Sequence, residues 1–287
     1  MTAPPRAPSR SSIPSFAART PTLPPATHTN SYALGSREVL LVEPATPCED
    51  EQREWLAWAR ALPSSGRLPT AIVVTHHHPD HVGGVEVLAR ELGLPVWAHA
   101  ETASRIGTAV ARRLADGEVI ALAGPVAQRW SVLHTPGHAP GHICLYDEQS
   151  ATLVVGDMVA SVGTILIAPG DGDMRVYLEQ LARLAGLEAR LALPAHGEPV
   201  DAPTALFQRY IAHRLRREEK VRAAVARHGP SGALVDELLP VAYGDVPVAT
   251  WPIARLSLQS HLAKLEEDGR VRADVRSADG PRYIASA

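Results

Sequence analysis

The sequence predicts an α+β protein, with an αββα sandwich followed by a small C-terminal winged-helix domain. Two observations favour this fold. Between residues 31 and 203, short apolar strand-like runs alternate with helix-like segments in two successive halves. From residue 204 to 287, three helical segments precede two strand-like runs, which is the element order of a winged helix. A chain of 287 residues with 45% hydrophobic residues is long enough to form both cores.

The sandwich is predicted from two sets of elements, one for each sheet. In the first set, strands are expected at 32–34, 39–42, 71–74 and 95–98, and helices at 49–62, 85–92 and 101–114. In the second set, strands are expected at 130–134, 143–146 and 153–155, followed by a helix at 174–185. Side chains on alternate strand residues would then fill the space between the two sheets.

The C-terminal domain is predicted to begin with a long, highly charged helix at 204–228, which stops at Gly229-Pro230. Two shorter helices are expected at 234–241 and 253–267, and a hairpin is expected from strands at 271–275 and 282–285. This order completes the winged-helix pattern.

The first 30 residues are predicted to be a disordered, proline-rich leader. They contain seven prolines and three arginines and lack the apolar core of a secretory signal. No stretch of the chain is apolar for the length needed to span a bilayer. We therefore expect a cytoplasmic protein without a membrane partner, and the sequence leaves its oligomeric state open.

The most informative motif is the segment from His76 to His81, which holds four possible metal ligands directly after the apolar run 71–74. Residues two apart in an extended chain project to the same side, so His76 and His78 are expected to face one point. Pro79 then bends the chain, which places Asp80 and His81 to serve a second ion. Histidine runs are often solvated loops. Here, however, three further ligand-type residues follow strand-like segments later in the chain, namely His138, Asp157 and His196.

In their order and spacing, these motifs resemble the metallo-β-lactamase superfamily over roughly residues 30 to 200. The resemblance implies that His76, His78 and His138 hold one ion, that Asp80, His81 and His196 hold a second, and that Asp157 bridges them. It implies two Zn²⁺ per chain with coordination positions left open for water, although imidazole and carboxylate ligands also suit iron or manganese. Asp80 is expected to take part in catalysis by holding the metal-bound hydroxide through a hydrogen bond.

Two residues outside this ligand set, His142 and Glu43, are expected to lie behind the metal ligands. His142 closes the T-P-G-H-x-x-G-H pattern before the apolar run 143–146, and we expect it to support the ligands rather than to bind metal. Glu43 stands where many relatives have an aspartate. This departure is expected to affect the local turn and a hydrogen bond behind the site, and not the metal ligands.

Two C-terminal segments narrow the resemblance. The H-R-x-x-R-E sequence at 213–218 and the Y-G-D-V-P sequence at 243–247 are similar to the branch that includes lactamase-beta-like protein 2. That branch contains a single-strand-specific endoribonuclease, and related enzymes cleave thioesters. The resemblance therefore implies a metal-dependent hydrolase but leaves its substrate open.

Several functions compete at this point. A metal-bound hydroxide would attack the carbonyl of a small-molecule ester, thioester or lactone, or it would cleave RNA as a single-strand endoribonuclease or another phosphodiesterase. A nucleic-acid-binding regulator is disfavoured by the complete ligand set, and a mono-iron sulfur dioxygenase would share His76, His138 and Asp157.

Charge distinguishes the two hydrolase hypotheses. From residue 204 onward, 13 Lys and Arg stand against 10 Asp and Glu, without a clustered basic face. We expect the arginine cluster at 214–217 to be a solvated helix face neutralised by its neighbours. A small-molecule substrate is therefore favoured over RNA.

Overall fold

The computed structural model describes residues 13–276 and 278–286. Its first sheet has six strands whose spatial order follows the chain. These strands are β1 (Ser15–Arg19), β2 (His28–Leu34), β3 (Glu38–Val42), β4 (Leu68–Val73), β5 (Val96–His99) and β6 (Arg112–Leu114). The β1–β2 and β2–β3 pairs are antiparallel, and the later pairs are parallel. Parallel neighbours need crossover connections, which here contain helices α1 (Glu49–Ala61), α2 (Pro79–Val82), α3 (Val85–Leu92) and α4 (Ala100–Ala103).

The second sheet also has six strands, and they too lie side by side in the order of the chain. Its strands are β7 (Val119–Leu122), β8 (Gln128–His134), β9 (Ile143–Asp147), β10 (Thr152–Gly156), β11 (Leu191–Pro194) and β12 (Val200–Asp201). Strands β10 and β11 are parallel, and helix α5 (Met174–Ala185) lies in the segment that connects them.

The core of the sandwich follows from the alternation of side chains along the strands. On β3, Leu40 and Val42 face the second sheet and join a cluster with Trp130 and Ile143. Val39 and Leu41, on the opposite face of the same strand, pack in a second cluster with residues of α1 and α3. One face of the first sheet is therefore covered by helices and the other by the second sheet, as the αββα prediction requires.

The chain divides into two compact units that interleave in sequence. The first contains the described residues up to 135 together with 139–164 and 187–204, and the second contains 136–138, 165–186 and the described residues from 205 onward. The predicted boundary between residues 203 and 204 did not anticipate this interleaving, and that boundary remains a proposal.

The second unit contains the predicted winged-helix elements. They are helices α6 (Thr204–Arg227), α7 (Val235–Ala242) and α8 (Trp251–Glu267) and the antiparallel strands β13 (Val271–Asp274) and β14 (Arg282–Ala285). Val221, Leu238, Leu258 and Val271 are buried in one core, which joins all three helices to the hairpin. The helix and strand order predicted for this part of the chain is confirmed.

Two predictions need correction. The leader was expected to lack structure up to residue 30, but β1 forms within it and pairs with β2, and Phe16 of β1 stacks near Trp58 with ring centroids 6.0 Å apart. Residues 1–12 lie outside the described residues. The helix expected at 101–114 is also wrong, because α4 ends at Ala103 and β6 pairs with β5. The β5 edge binds the later part of this segment through backbone hydrogen bonds, and Arg112 covers the Trp97 ring at 4.6 Å.

No helix in the described part of the chain is both long enough and apolar enough to cross a membrane.

Candidate metal centre

The loop after β4 brings the first two predicted ligands together. His76 follows the buried residues Val74 and Thr75 and is itself closed to solvent, and His78 precedes α2 in an extended conformation. Their ring nitrogens, His76 Nε2 and His78 Nδ1, lie 3.0 Å apart. The two rings therefore direct nitrogen atoms at one point.

A second group is formed by Asp80, His81 and His196. Each offers a ligand atom, and these atoms lie within 4.8 Å of one another. Asp80 Oδ2 is 3.8 Å from His81 Nε2 and 3.5 Å from His196 Nε2. Helix α2 supplies the first two residues within one turn, and the third follows strand β11 of the other sheet.

Asp157, at the end of β10, borders both positions. Its Oδ1 atom lies 3.5 Å from His81 Nε2 and 3.3 Å from His196 Nε2. It also forms a group with His76 and His81 whose ligand atoms are within 4.8 Å of one another. The carboxylate of Asp157 therefore lies near His76 as well as near His81 and His196.

The ligand nitrogens of three histidines are selected by contacts on the opposite side of each ring. His81 Nδ1 lies 2.6 Å from Glu43 Oε2, and His196 Nδ1 lies 2.9 Å from the carbonyl oxygen of His28. Within the second unit, His138 Nδ1 lies 2.9 Å from the carbonyl oxygen of Leu166. A histidine that donates from Nδ1 leaves Nε2 available as a metal ligand.

The electrostatics of the centre favour cations. Burial by itself would lower the pKa of the His81 ring, but the carboxylates of Asp157 and Glu43 outweigh it and hold that pKa well above its usual value. The pKa of His196 is raised in the same way, by Asp157 against the effect of burial. Burial would raise the pKa of Asp157, but His81 and His196 lower it well below its usual value. A metal ion would take the place of the protons that these charges attract.

His142 supports Asp157 from behind, as predicted. The backbone N–H of Asp157 donates to His142 Nε2 over 3.0 Å, and His142 Nδ1 lies 2.8 Å from Thr135 Oγ1. Because Nε2 accepts, the ring proton is on Nδ1 and is donated to the threonine. Both ring nitrogens of His142 are thus engaged by hydrogen bonds.

The donor set fits divalent metal ions. His81 Nε2 is buried and has no hydrogen-bond partner among the described residues, although Asp157 and Asp80 lie near it. Buried polar atoms are normally paired, and a metal ion would satisfy this one. Imidazole and carboxylate ligands without thiolate suit zinc, iron and manganese.

Two residues outside the predicted ligand set lie against the centre. Glu43, where an effect on a hydrogen bond behind the site is expected, is 1% exposed and bonds to both His81 and the backbone N–H of Thr75. Its position directly after a buried strand was the signal that could have identified it. Thr22 lay within the predicted leader, yet its Oγ1 is 3.4 Å from His196 Nε2.

The arginine cluster of α6 was expected to be solvated, and this expectation is wrong for two of its members. Arg214 is 3% exposed and donates to the carbonyl oxygen of Ile165, and Arg217 is 7% exposed and pairs with Asp245 at 2.7 Å. Arg216 remains exposed. Both buried guanidinium groups lie on the helix face that packs inside the second unit.

Comparison with known proteins agrees with this geometry. The sequence profile described as "Metallo-beta-lactamase superfamily" matches residues 24–196, and that described as "Beta-lactamase associated winged helix domain" matches residues 235–278. The chain is 28% identical over 268 residues to the "Beta-lactamase-like protein 2 homolog" of Drosophila melanogaster, covering 89% of this chain and 88% of that one. It is 32% identical over 161 residues to "Thioesterase pkgB" of Emericella nidulans, covering 56% and 44%.

Solved structures show the same architecture. A metallo-β-lactamase family protein of Thermus thermophilus superposes with a TM-score of 0.74 at 26% identity, covering 95% of this chain and 98% of that one. TTHA1623, solved in a di-iron-bound form, superposes with a TM-score of 0.51 at 28% identity, covering 64% and 95%.

Proposed function

The chain belongs to the metallo-β-lactamase superfamily, and we propose that it is a dinuclear zinc hydrolase acting on a small-molecule ester, thioester or lactone. Family membership makes it a metal-dependent hydrolase. One observation carries the proposal of two ions. Asp157 lies within 4.8 Å of ligand atoms of His76 and His81, and it also lies beside His196.

The proposed ligand set divides in two around Asp157. We assign His76, His78 and His138 to one ion and Asp80, His81 and His196 to the other, with Asp157 shared between them. The 3.0 Å approach of His76 Nε2 to His78 Nδ1 supports the first assignment, and the group of Asp80, His81 and His196 supports the second. The engagement of His138 Nδ1 by Leu166 supports Nε2 as its ligand atom.

The chemistry then divides between the ions and the chain. Two divalent ions held by these residues would supply an activated water as the nucleophile and would polarise the substrate carbonyl. Asp80, whose side chain is 15% exposed, accepts a hydrogen bond from the attacking water and orients it. Glu43 and His142 hold His81 and Asp157 in place. Zinc is proposed for this ligand set, and the di-iron-bound TTHA1623 makes iron the alternative to test.

The second unit supports a small-molecule substrate over RNA. Arg214 and Arg217 are buried, and on α8 Lys264, whose side chain is 12% exposed, pairs with Glu218 at 2.9 Å. RNA binding depends on cations that are available to phosphates, and these three are engaged within the unit. A relative named as a thioesterase supports the acyl substrate class.

The test is an assay of the purified, zinc-loaded protein against thioesters, lactones and single-stranded RNA. We expect acyl hydrolysis that is lost in His78→Ala, which serves as the control for contaminating enzymes. Metal-dependent RNA cleavage without acyl hydrolysis would reverse the order of the two hydrolase hypotheses. One iron per chain together with oxygen-dependent activity would replace both with a sulfur dioxygenase.

A further inference from the structure

The loop between β1 and β2 reaches the proposed second metal position. Thr22, which is partly buried on this loop, places Oγ1 3.4 Å from His196 Nε2. The same nitrogen faces Asp157 Oδ1 at 3.3 Å and Asp80 Oδ2 at 3.5 Å. The Thr22 hydroxyl is therefore one of three oxygen-bearing groups around His196 Nε2, and it is the only one of the three that can donate a hydrogen bond when both carboxylates are ionised.

Contacts at its base and near its tip hold the β1–β2 loop in place. Its base is closed by a buried hydrogen bond of 2.8 Å between the hydroxyls of Thr20 and Thr29, and Thr20 also donates its N–H to the carbonyl oxygen of Thr27. Near its tip, Pro25 packs so closely on Gly163 that a Cβ at that glycine would lie 2.7 Å from the proline Cδ. These contacts fix the position of Thr22 relative to His196.

The Thr22 hydroxyl and a metal ion would compete for the same nitrogen of His196. His196 Nδ1 is engaged by the carbonyl oxygen of His28 at 2.9 Å, so Nε2 is the ring nitrogen that faces the Thr22 hydroxyl. The single lone pair of that nitrogen serves either the hydroxyl or a metal ion. Once an ion takes it, the threonine hydrogen becomes available to an oxygen atom beside His196.

We propose that Thr22 is a substrate-contact residue whose hydroxyl donates a hydrogen bond to an acyl oxygen held on the His196 side of the site. This inference rests on the proposed function, because it requires the second metal position and an oxygen-bearing substrate. It makes the β1–β2 loop part of the substrate-binding surface.

The experiment compares Thr22→Val, which removes the hydroxyl, with Thr22→Ser, which keeps it. Thr70→Val is the matched control, because Thr70 donates to the carbonyl oxygen of Val39 near the start of β4, roughly 20 Å along the chain from His76 at about 3.3 Å per residue. All proteins are loaded with cobalt, whose visible spectrum reports changes in its oxygen ligands. Acetate, which carries the oxygens of an acyl product, is then titrated.

We expect all four proteins, including the wild type, to bind equal cobalt. Acetate should bind about tenfold more weakly to Thr22→Val, as for the loss of one hydrogen bond to a charged group. Thr22→Ser and Thr70→Val should match the wild type. Equal acetate affinity in Thr22→Val and wild type, or a wild-type spectrum that does not respond to acetate, would overturn this inference alone. A wild-type protein that takes up no cobalt would overturn the proposed function as well.

Discussion

Glu43 Oε2 lies 2.6 Å from His81 Nδ1, and both side chains are closed to solvent. The other oxygen of the same carboxylate accepts the backbone N–H of Thr75 at 2.8 Å. The buried carboxylate of Glu43 therefore connects Thr75, which precedes the ligand loop, to His81 within that loop. Because a carboxylate only accepts, it requires the proton of His81 to be on Nδ1, which leaves Nε2 for a metal ion.

Glu43→Gln should weaken the second metal position. With its oxygen kept by the Thr75 N–H, the new amide would present its NH₂ group to His81 Nδ1, and the ring proton would move to Nε2, where it blocks metal binding. The affinity of one of the two ions should fall roughly 10–100-fold, as is usual when such a supporting contact is lost. Zinc titration calorimetry measures this change.

The control for this variant is Glu38→Gln at the start of β3, the strand that precedes Glu43, since Glu38 bonds to the backbone N–H of Ala123. It should bind both ions as the wild type does. If Glu43→Gln also keeps two ions at wild-type affinity, the carboxylate does not set the tautomer of His81.

Asp157→Ala should lose more bound metal than His196→Ala. The carboxylate borders both proposed positions, whereas His196 borders only the second. Removing a shared ligand weakens two sites, and removing a ligand of one site spares the other. Zinc per chain, measured by elemental analysis after dialysis, decides this point. Equal metal content in the two variants would contradict the bridging assignment.

Much of the centre was predictable because its signals are local in sequence. His76 and His78 are two residues apart in an extended segment, and that spacing alone directs both rings at one point. The contribution of Glu43 was not predictable in this way, because its partner His81 is 38 residues away. Only the register of β3 beside β4 brings the two together.

The expectation that the arginine cluster of α6 is solvated failed for a related reason. The positions of the helices and the hairpin follow from periodicity and turn residues, but periodicity does not identify the partners of a charged side chain. Arg217 sits in a run of charges that suggests a solvated face, yet Asp245, 28 residues further on, pairs with it and allows its burial.

Gly156→Ala should destabilise the protein and displace His142. Gly156 has a φ of 47°, and an added Cβ would lie 2.5 Å from His142 Nε2 and 3.0 Å from Thr75 Oγ1. The left-handed backbone and the overlap together should cost roughly 2–4 kcal/mol. Gly93→Ala is the matched control, since Gly93 has a φ of 65° with nothing within 4 Å of an added Cβ. In urea unfolding, it should lose only about 1–2 kcal/mol. A similar loss of unfolding free energy in the two variants would mean that His142 can shift away from the added Cβ without cost.

His261 on α8 is fully buried, and neither ring nitrogen has a hydrogen-bond partner among the described residues. Its Nδ1 lies 3.7 Å from Glu218 Oε2. Burial lowers the pKa of the ring. Glu218 opposes that effect, and Arg214 and Arg217 add to it, so the pKa remains below its ordinary value of 6.5.

This depressed pKa makes stability depend on pH in a definite direction. Between the folded pKa and 6.5, the unfolded chain binds more protons than the folded one, so the contribution of His261 is present above 6.5 and is lost as the pH falls. On going from pH 7.5 to 5.5, wild-type protein should therefore lose more stability than His261→Leu. Urea unfolding at both pH values measures this difference, with His228→Leu as the control histidine of the same unit. Parallel pH profiles for the wild type and His261→Leu would show that the ring takes up protons equally in the folded and unfolded chains.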